Sequence, residues 1–107
     1  MRNAFVIEVK DKEYTLEFDR TTIIYTEEVV GFSVSGYGES PFTQMYKLFS
    51  GALFKNHPYL SVKQSMDVFD EYANEGGDIE ALNGALLEAY TGFIPTTQVP
   101  TKTFKKL

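Results

Sequence analysis

Apolar and polar residues alternate at the start of the chain. Phe5, Ile7 and Val9 stand against Val6, Glu8 and Lys10, and Tyr14, Leu16 and Phe18 stand against Glu13, Thr15 and Glu17. A period of two is that of a half-buried strand. Asp11-Lys12 interrupts the alternation so briefly that the two strands must form an antiparallel hairpin with one apolar face. An isolated hairpin is marginal in water, so this face must lie on helices. From residue 40 the period changes. Phe42, Met45, Tyr46, Phe49, Ala52 and Leu53 fall at i, i+3, i+4, i+7, i+10 and i+11, the apolar stripe of an α-helix. Ser40 suits its N-cap and Pro41 its first helical position, while Pro58 closes it and turns His57 out of helical geometry. The spacing places this helix at the centre of the fold.

The remaining segments are assigned around it. Residues 21–30 carry a β-branched run, Thr-Thr-Ile-Ile-Tyr-Thr, that favours a strand by propensity. Asp19 as a cap, Glu27 and Glu28 in the body and Gly31 as a stop favour a short helix, which is the assignment adopted. Residues 31–38 form a Gly- and Ser-rich loop presenting Phe32 and Tyr37. Ser61 and Gln64 have capping-box spacing and open a third helix, with Val62, Met66, Phe69, Tyr72 and Ala73 on one face. Gly76-Gly77 stops that helix. Asp78 caps a fourth, with Ile79, Leu82, Leu86, Ala89 and Tyr90 on one side and Gly92 at its end. The expected architecture is α+β: an N-terminal antiparallel β-hairpin packed on three to four short α-helices. Residues 1–92 make one compact domain. Residues 93–107, with Pro95, Pro100 and no periodicity, are expected to be a flexible tail.

Composition narrows the function. A chain of 107 residues, 43% hydrophobic and 15% aromatic, can bury one core and not two. A net charge of -5 argues against nonspecific nucleic-acid binding, because phosphates would be repelled. The absence of Cys removes disulfides and thiolate metal sites and fits a reducing cytoplasm. The N-terminal apolar run is too short for a signal peptide, and no segment approaches a membrane span, so a soluble intracellular protein is expected.

Candidate chemistry is sparse. His57 is the only histidine, which precludes a histidine-based metal cluster. Beside Pro58 it reads as a helix-terminal residue near the last carbonyls. Asp67, Asp70 and Glu71 stand at i, i+3 and i+4 and could share a hard cation, but a solvated helix face accounts for them better. Gly36-Tyr37-Gly38 lacks the Lys-Ser/Thr of a phosphate loop, and Ser33, Ser35 and Ser50 lack a nucleophile elbow. No catalytic site, cofactor or metal is expected. The features that stand out concern contact. Gly51 lies nearly opposite the apolar stripe of the central helix, with Leu48 and Phe54 on the flanks. A glycine there is either a tolerated surface residue or a place where another backbone approaches. With Phe32 and Tyr37 these residues are the candidates for protein interaction, through self-association or capture of a partner helix. The competing possibility is that residues 21–30 cover this face within the monomer.

Several stretches together resemble a known family. They are Glu13-Tyr-Thr-Leu-Glu-Phe-Asp-Arg-Thr-Thr, the segment closing on Gly31-Phe32, and Leu48-Phe-Ser-Gly-Ala-Leu-Phe-Lys-Asn-His-Pro58. The Ser61-started acidic helix through Phe69-Asp-Glu-Tyr72 and Leu86-Leu-Glu-Ala-Tyr complete the set. Over residues 6–90 the chain resembles the tail assembly chaperones of long-tailed phages and prophages of Gram-positive bacteria. It departs from them in the loop at 33–40 and in its Pro/Thr/Lys C-terminus. The resemblance implies a non-enzymatic factor in the cytoplasm of the bacterial host, absent from the mature virion. Its implied partners are the tape measure protein, kept soluble until the tube forms, and the major tail tube protein. The alternative, from another class, is a regulatory or inhibitory phage protein binding a single host protein. Neither reading involves nucleic acid or membrane.

Overall fold

Alternation produces the hairpin at the start of the chain. The computed structural model describes residues 4–93, and in it β1 (Ala4–Val9) pairs antiparallel with β2 (Lys12–Glu17). The register sets Phe5 opposite Leu16, Ile7 opposite Tyr14 and Val9 opposite Lys12. The turn is Lys10-Asp11 rather than the expected Asp11-Lys12. Both residues have positive φ, 51° and 66°, as a two-residue turn matched to the strand twist requires. Lys10 is held there by Glu75, which accepts from its N–H at 3.3 Å, and by an ion pair to Glu71 at 3.7 Å. Ile7, Val9, Tyr14, Leu16 and Phe18 are buried as the alternation requires, and Phe5 is half-buried.

Residues 21–30 are helical, against their β propensity. Asp19 and Thr22 form a reciprocal cap that starts α1 (Arg20–Tyr25), and the chain continues as one π-helical turn, Thr26–Val30. Gly31, at φ 90°, ends it in the left-handed region, where the N–H groups of Gly31 and Phe32 both donate to the Thr26 carbonyl. A short 3-10 turn, Val34–Gly38, leads into α2 (Pro41–Leu53). The Ser61–Gln64 capping box forms as its spacing demands, at 3.0 and 2.8 Å, and starts α3 (Val62–Asn74). Gly76, at φ 89°, terminates that helix. Asp78 accepts from the Ala81 N–H at the start of α4 (Ile79–Phe93). The fold is α+β, a two-stranded hairpin followed by helices. Of the segment 93–107 read as a tail, Phe93 ends α4, and 94–107 lie outside the described residues.

α2 is the central element. It contacts β2, α1, the π turn, the 3-10 turn, α3 and α4. From Leu48 to Leu53 every residue is buried, polar Ser50 included. Phe49 is fully enclosed and meets Phe69 of α3 edge to face at 5.2 Å. The stripe drawn from sequence does not hold at the start of the helix. Phe42 is 71% exposed, whereas Gln44, off the stripe, is buried. The cause is tertiary. The loop after Gly31 lies along the Gln44 side, with the Ser33 N–H donating to Gln44 Oε1 at 2.9 Å. Val68, likewise unassigned by the α3 stripe, is buried, while Ala73, assigned to it, is exposed.

Candidate functional site

The face of α2 singled out for interaction is closed within the monomer. Leu48 is fully buried, and Gly51 is buried against Thr26 of the π turn. A Cβ on Gly51 would overlap the Thr26 side chain, so the glycine exists for a close approach, made by the protein's own segment 21–30. Thr26 is itself fully buried, its hydroxyl donating to the Thr22 carbonyl at 2.6 Å. Phe54 is half-buried and stacks on Tyr25, with ring centroids 3.9 Å apart and planes 14° from parallel. The intramolecular alternative is thus the one realised at this face.

Phe32 and Tyr37 are also turned inward. Phe32 is buried in an aromatic group, at 5.1 Å from Tyr90 and 5.9 Å from Tyr37, and Tyr90 in turn meets Phe18 at 5.5 Å. The Tyr37 hydroxyl donates to Asn83 Oδ1 at 3.0 Å. Burial raises the Tyr37 pKa against the opposing effect of that bond. The Tyr90 hydroxyl donates to Glu27, and burial together with that carboxylate raises its pKa. A Gly/Ser loop looks exposed in sequence. Here it is pulled down because its two aromatic rings pack on α4, Phe32 against Tyr90 and Tyr37 through its bond to Asn83.

The Lys55-Asn56-His57 junction closes the end of α2, where the His57 N–H donates to the Leu53 carbonyl at 2.8 Å, and it is also a clasp on the hairpin. His57 Nε2 accepts from the Thr15 N–H at 2.9 Å, and Nδ1 lies 3.0 Å from the Tyr59 hydroxyl. Its ring packs at 5.2 Å from Tyr14. Lys55 pairs with Glu17 at 3.1 Å and Asp19 at 3.0 Å, and Asn56 donates to Glu17 at 3.1 Å. Three consecutive side chains therefore cover the outer edge of β2. Burial, reinforced by the Lys12 charge, lowers the His57 pKa and favours the neutral ring whose Nε2 can accept. Burial alone would raise the Asp19 carboxyl, but the Thr22 N–H and hydroxyl and the Lys55 ammonium together hold it below its ordinary value.

The carboxylates of α3 are divided among different partners. Asp67 faces Lys63 at 3.5 Å, Asp70 accepts from the Tyr46 hydroxyl, and Glu71 pairs with Lys10. The Asp70 bond, then burial, raises the Tyr46 pKa. Among the described residues no group of three or more His, Cys, Asp or Glu converges as metal ligands, and no helix is long and apolar enough to cross a membrane.

What α2 leaves open is the side away from the π turn. A groove of about 390 Å3 runs between the first half of α2 and α3. Thr43, Tyr46 and Met66 line it, with Lys63, Asp67 and Asp70 on the α3 side. Phe42, one turn before Tyr46 on the same side of α2, stands exposed at its end. Sequence reasoning placed Phe42 and Tyr46 on the apolar stripe of α2 and Met66 on that of α3; Tyr46 packs against the core as well as lining the groove, whereas Phe42 is exposed.

Comparison with curated proteins gives no match, and neither does comparison with solved structures. A family model described as a domain of unknown function, DUF5055, matches residues 1–102, nearly the whole length, and the chain belongs to that family.

Proposed function

We propose that this protein is a non-enzymatic tail assembly chaperone that holds a helix of the tape measure protein in the α2–α3 groove. From there it helps recruit tail tube subunits in the cytoplasm of the bacterial host, and it is absent from the mature virion. The observation that carries the reading is the groove with Phe42 at its end. A half-buried tyrosine and a half-buried methionine line a slot between two helices, with an exposed phenylalanine one turn before the tyrosine, the geometry in which an amphipathic helix lays its apolar face. Met and aromatic side chains adapt to varied apolar partners. The groove is lined by Asp67 and Asp70 against one Lys63, within a chain of net charge -5. That imbalance favours a partner helix whose flank is basic. The resemblance noted in the sequence supplies the identity of the partner, and the surface supplies its chemistry.

Co-expression with the tape measure and tail tube proteins of the same phage genome tests this. The chain should co-purify with tape measure protein and keep it soluble. Phe42→Asp, an exposed position, should leave the far-UV spectrum and melting unchanged. It should weaken capture about tenfold or more, a loss of about 1.4 kcal/mol. A wild-type chain that captures neither protein refutes the chaperone reading. Capture undiminished in Phe42→Asp refutes the groove.

A further inference from the structure

We propose that the outer edge of β1 is a self-pairing site, where β1 of a second copy adds antiparallel and extends the hairpin into a four-stranded sheet. The inference is independent of the chaperone reading and rests on how the protein treats the two edges of its sheet. A two-stranded sheet has two rows of unpaired backbone groups, each a template for another strand. The β2 edge is covered, because the Thr15 N–H donates to His57 and Lys55 and Asn56 hold Glu17 beside it. That bond also fixes the geometry of β1. Thr15 lies opposite Val6, and in an antiparallel pair two opposed residues either both bond inward or both point outward. Since the Thr15 N–H points outward, so do the N–H and C=O of Val6, and two residues on, those of Glu8. Among the described residues no partner meets these groups. The Val6 side chain is 54% exposed and Glu8 is exposed.

The side-chain pattern of β1 suits a copy of itself. A two-fold axis through Ile7 sets Ile7 against Ile7 and Phe5 against Val9 on the core-facing side. On the outer side it sets Val6 against Glu8, while Lys10, in the turn with its N–H taken by Glu75, lies outside the pairing. Apolar residues meet on the face that continues the core, and no like charges are opposed, an arrangement that would be unfavourable. Half-buried Phe5 gains cover from the second strand. Val6 and Glu8 exchange both backbone bonds twice over, once on each side of the axis, as a self-complementary interface requires. A single strand pair buries less than a standard interface, so the association is weak and is driven by concentration.

Sedimentation equilibrium from about 10 µM to about 1 mM should show the mass rising from monomer towards dimer. Val6→Pro removes a donor that points away from β2, a position where an edge strand tolerates proline. It should keep the helical spectrum and stay monomeric throughout. Amide exchange keeps the test sound even if that variant folds poorly. In the wild type the Val6 and Glu8 amides should gain at least tenfold protection between the dilute and concentrated samples, while the Thr15 amide is protected in both. A wild type that stays monomeric at about 1 mM overturns the proposal. So does a dimer whose Val6 and Glu8 amides exchange as in the dilute sample, or a folded Val6→Pro that dimerises like the wild type. Protection of these amides that appears only on adding another protein assigns the edge to that partner and likewise overturns self-pairing.

Discussion

Replacing Gly51 by alanine puts one methyl group between α2 and the π turn. That Cβ would overlap Thr26 Oγ1 outright and lie 2.6 Å from both Thr26 Cβ and Cγ2, so relieving the two carbon contacts to 3.4 Å already takes about 0.8 Å and clearing Oγ1 takes more. Neither side yields easily. Thr26 is fully buried and its hydroxyl is tied to the Thr22 carbonyl, while α2 is enclosed from Leu48 to Leu53. Two effects compete. Gly→Ala inside a helix gains about 1 kcal/mol of propensity, and overpacking a filled core costs about 1–3 kcal/mol. With three Thr26 atoms inside contact distance we take the upper part of that range and expect a net loss of about 2 kcal/mol. For a domain of this size such a loss lowers Tm by roughly 8–16 °C. Urea titration followed by circular dichroism reads it directly. A double-mutant cycle assigns the cause. Thr26→Ala removes two of the three crowding atoms, so Gly51→Ala should cost at least about 1 kcal/mol less in that background. A stabilised Gly51→Ala would refute the reasoning, because propensity would then have won. Strict additivity with Thr26→Ala would show that the two side chains do not meet.

Phe49→Ala should cost about 3–5 kcal/mol in urea melts, since the ring is fully enclosed and packed on Phe69; a loss below about 1 kcal/mol would mean the site is not core. Ser61→Ala should cost about 1 kcal/mol by removing half of the capping box of α3, and an unchanged urea midpoint would show that the cap contributes nothing. His57 carries a pH dependence of defined sign. Its folded pKa lies below the ordinary histidine value of 6.5, so the unfolded chain binds more protons between the two values. Its stabilisation should be complete above pH 6.5 and fall as the pH drops towards the folded pKa, and His57→Gln, which keeps an acceptor without a titrating ring, should remove that component from the stability–pH profile. A profile identical in the variant would show that the clasp does not titrate.

Local chemistry determined much of this fold. The alternation in β1 and β2, the capping box at Ser61–Gln64, the cap at Asp19 and the stop at Gly31 each act over a few residues, and their physics is legible along the chain. Caps decided residues 21–30 against the β propensity of Thr-Thr-Ile-Ile-Tyr-Thr, because a satisfied helix start and a left-handed stop outweigh a weak intrinsic preference. The sequence also marked Gly51 as a place of close approach. It could not say what approaches, since Thr26 is 25 residues away and only the path of the π turn brings it there. Tertiary structure turned Phe32 and Tyr37 inward, because their rings pack on α4, an element distant in sequence. It left Phe42 outside, because the loop after Gly31 covers the Gln44 side of α2 instead. The hydrophobic effect acts on area removed from water, and a periodic stripe shows which residues share a side of a helix. Which sides are covered depends on where the loops run, and here they run over Gln44 and leave Phe42 in solvent.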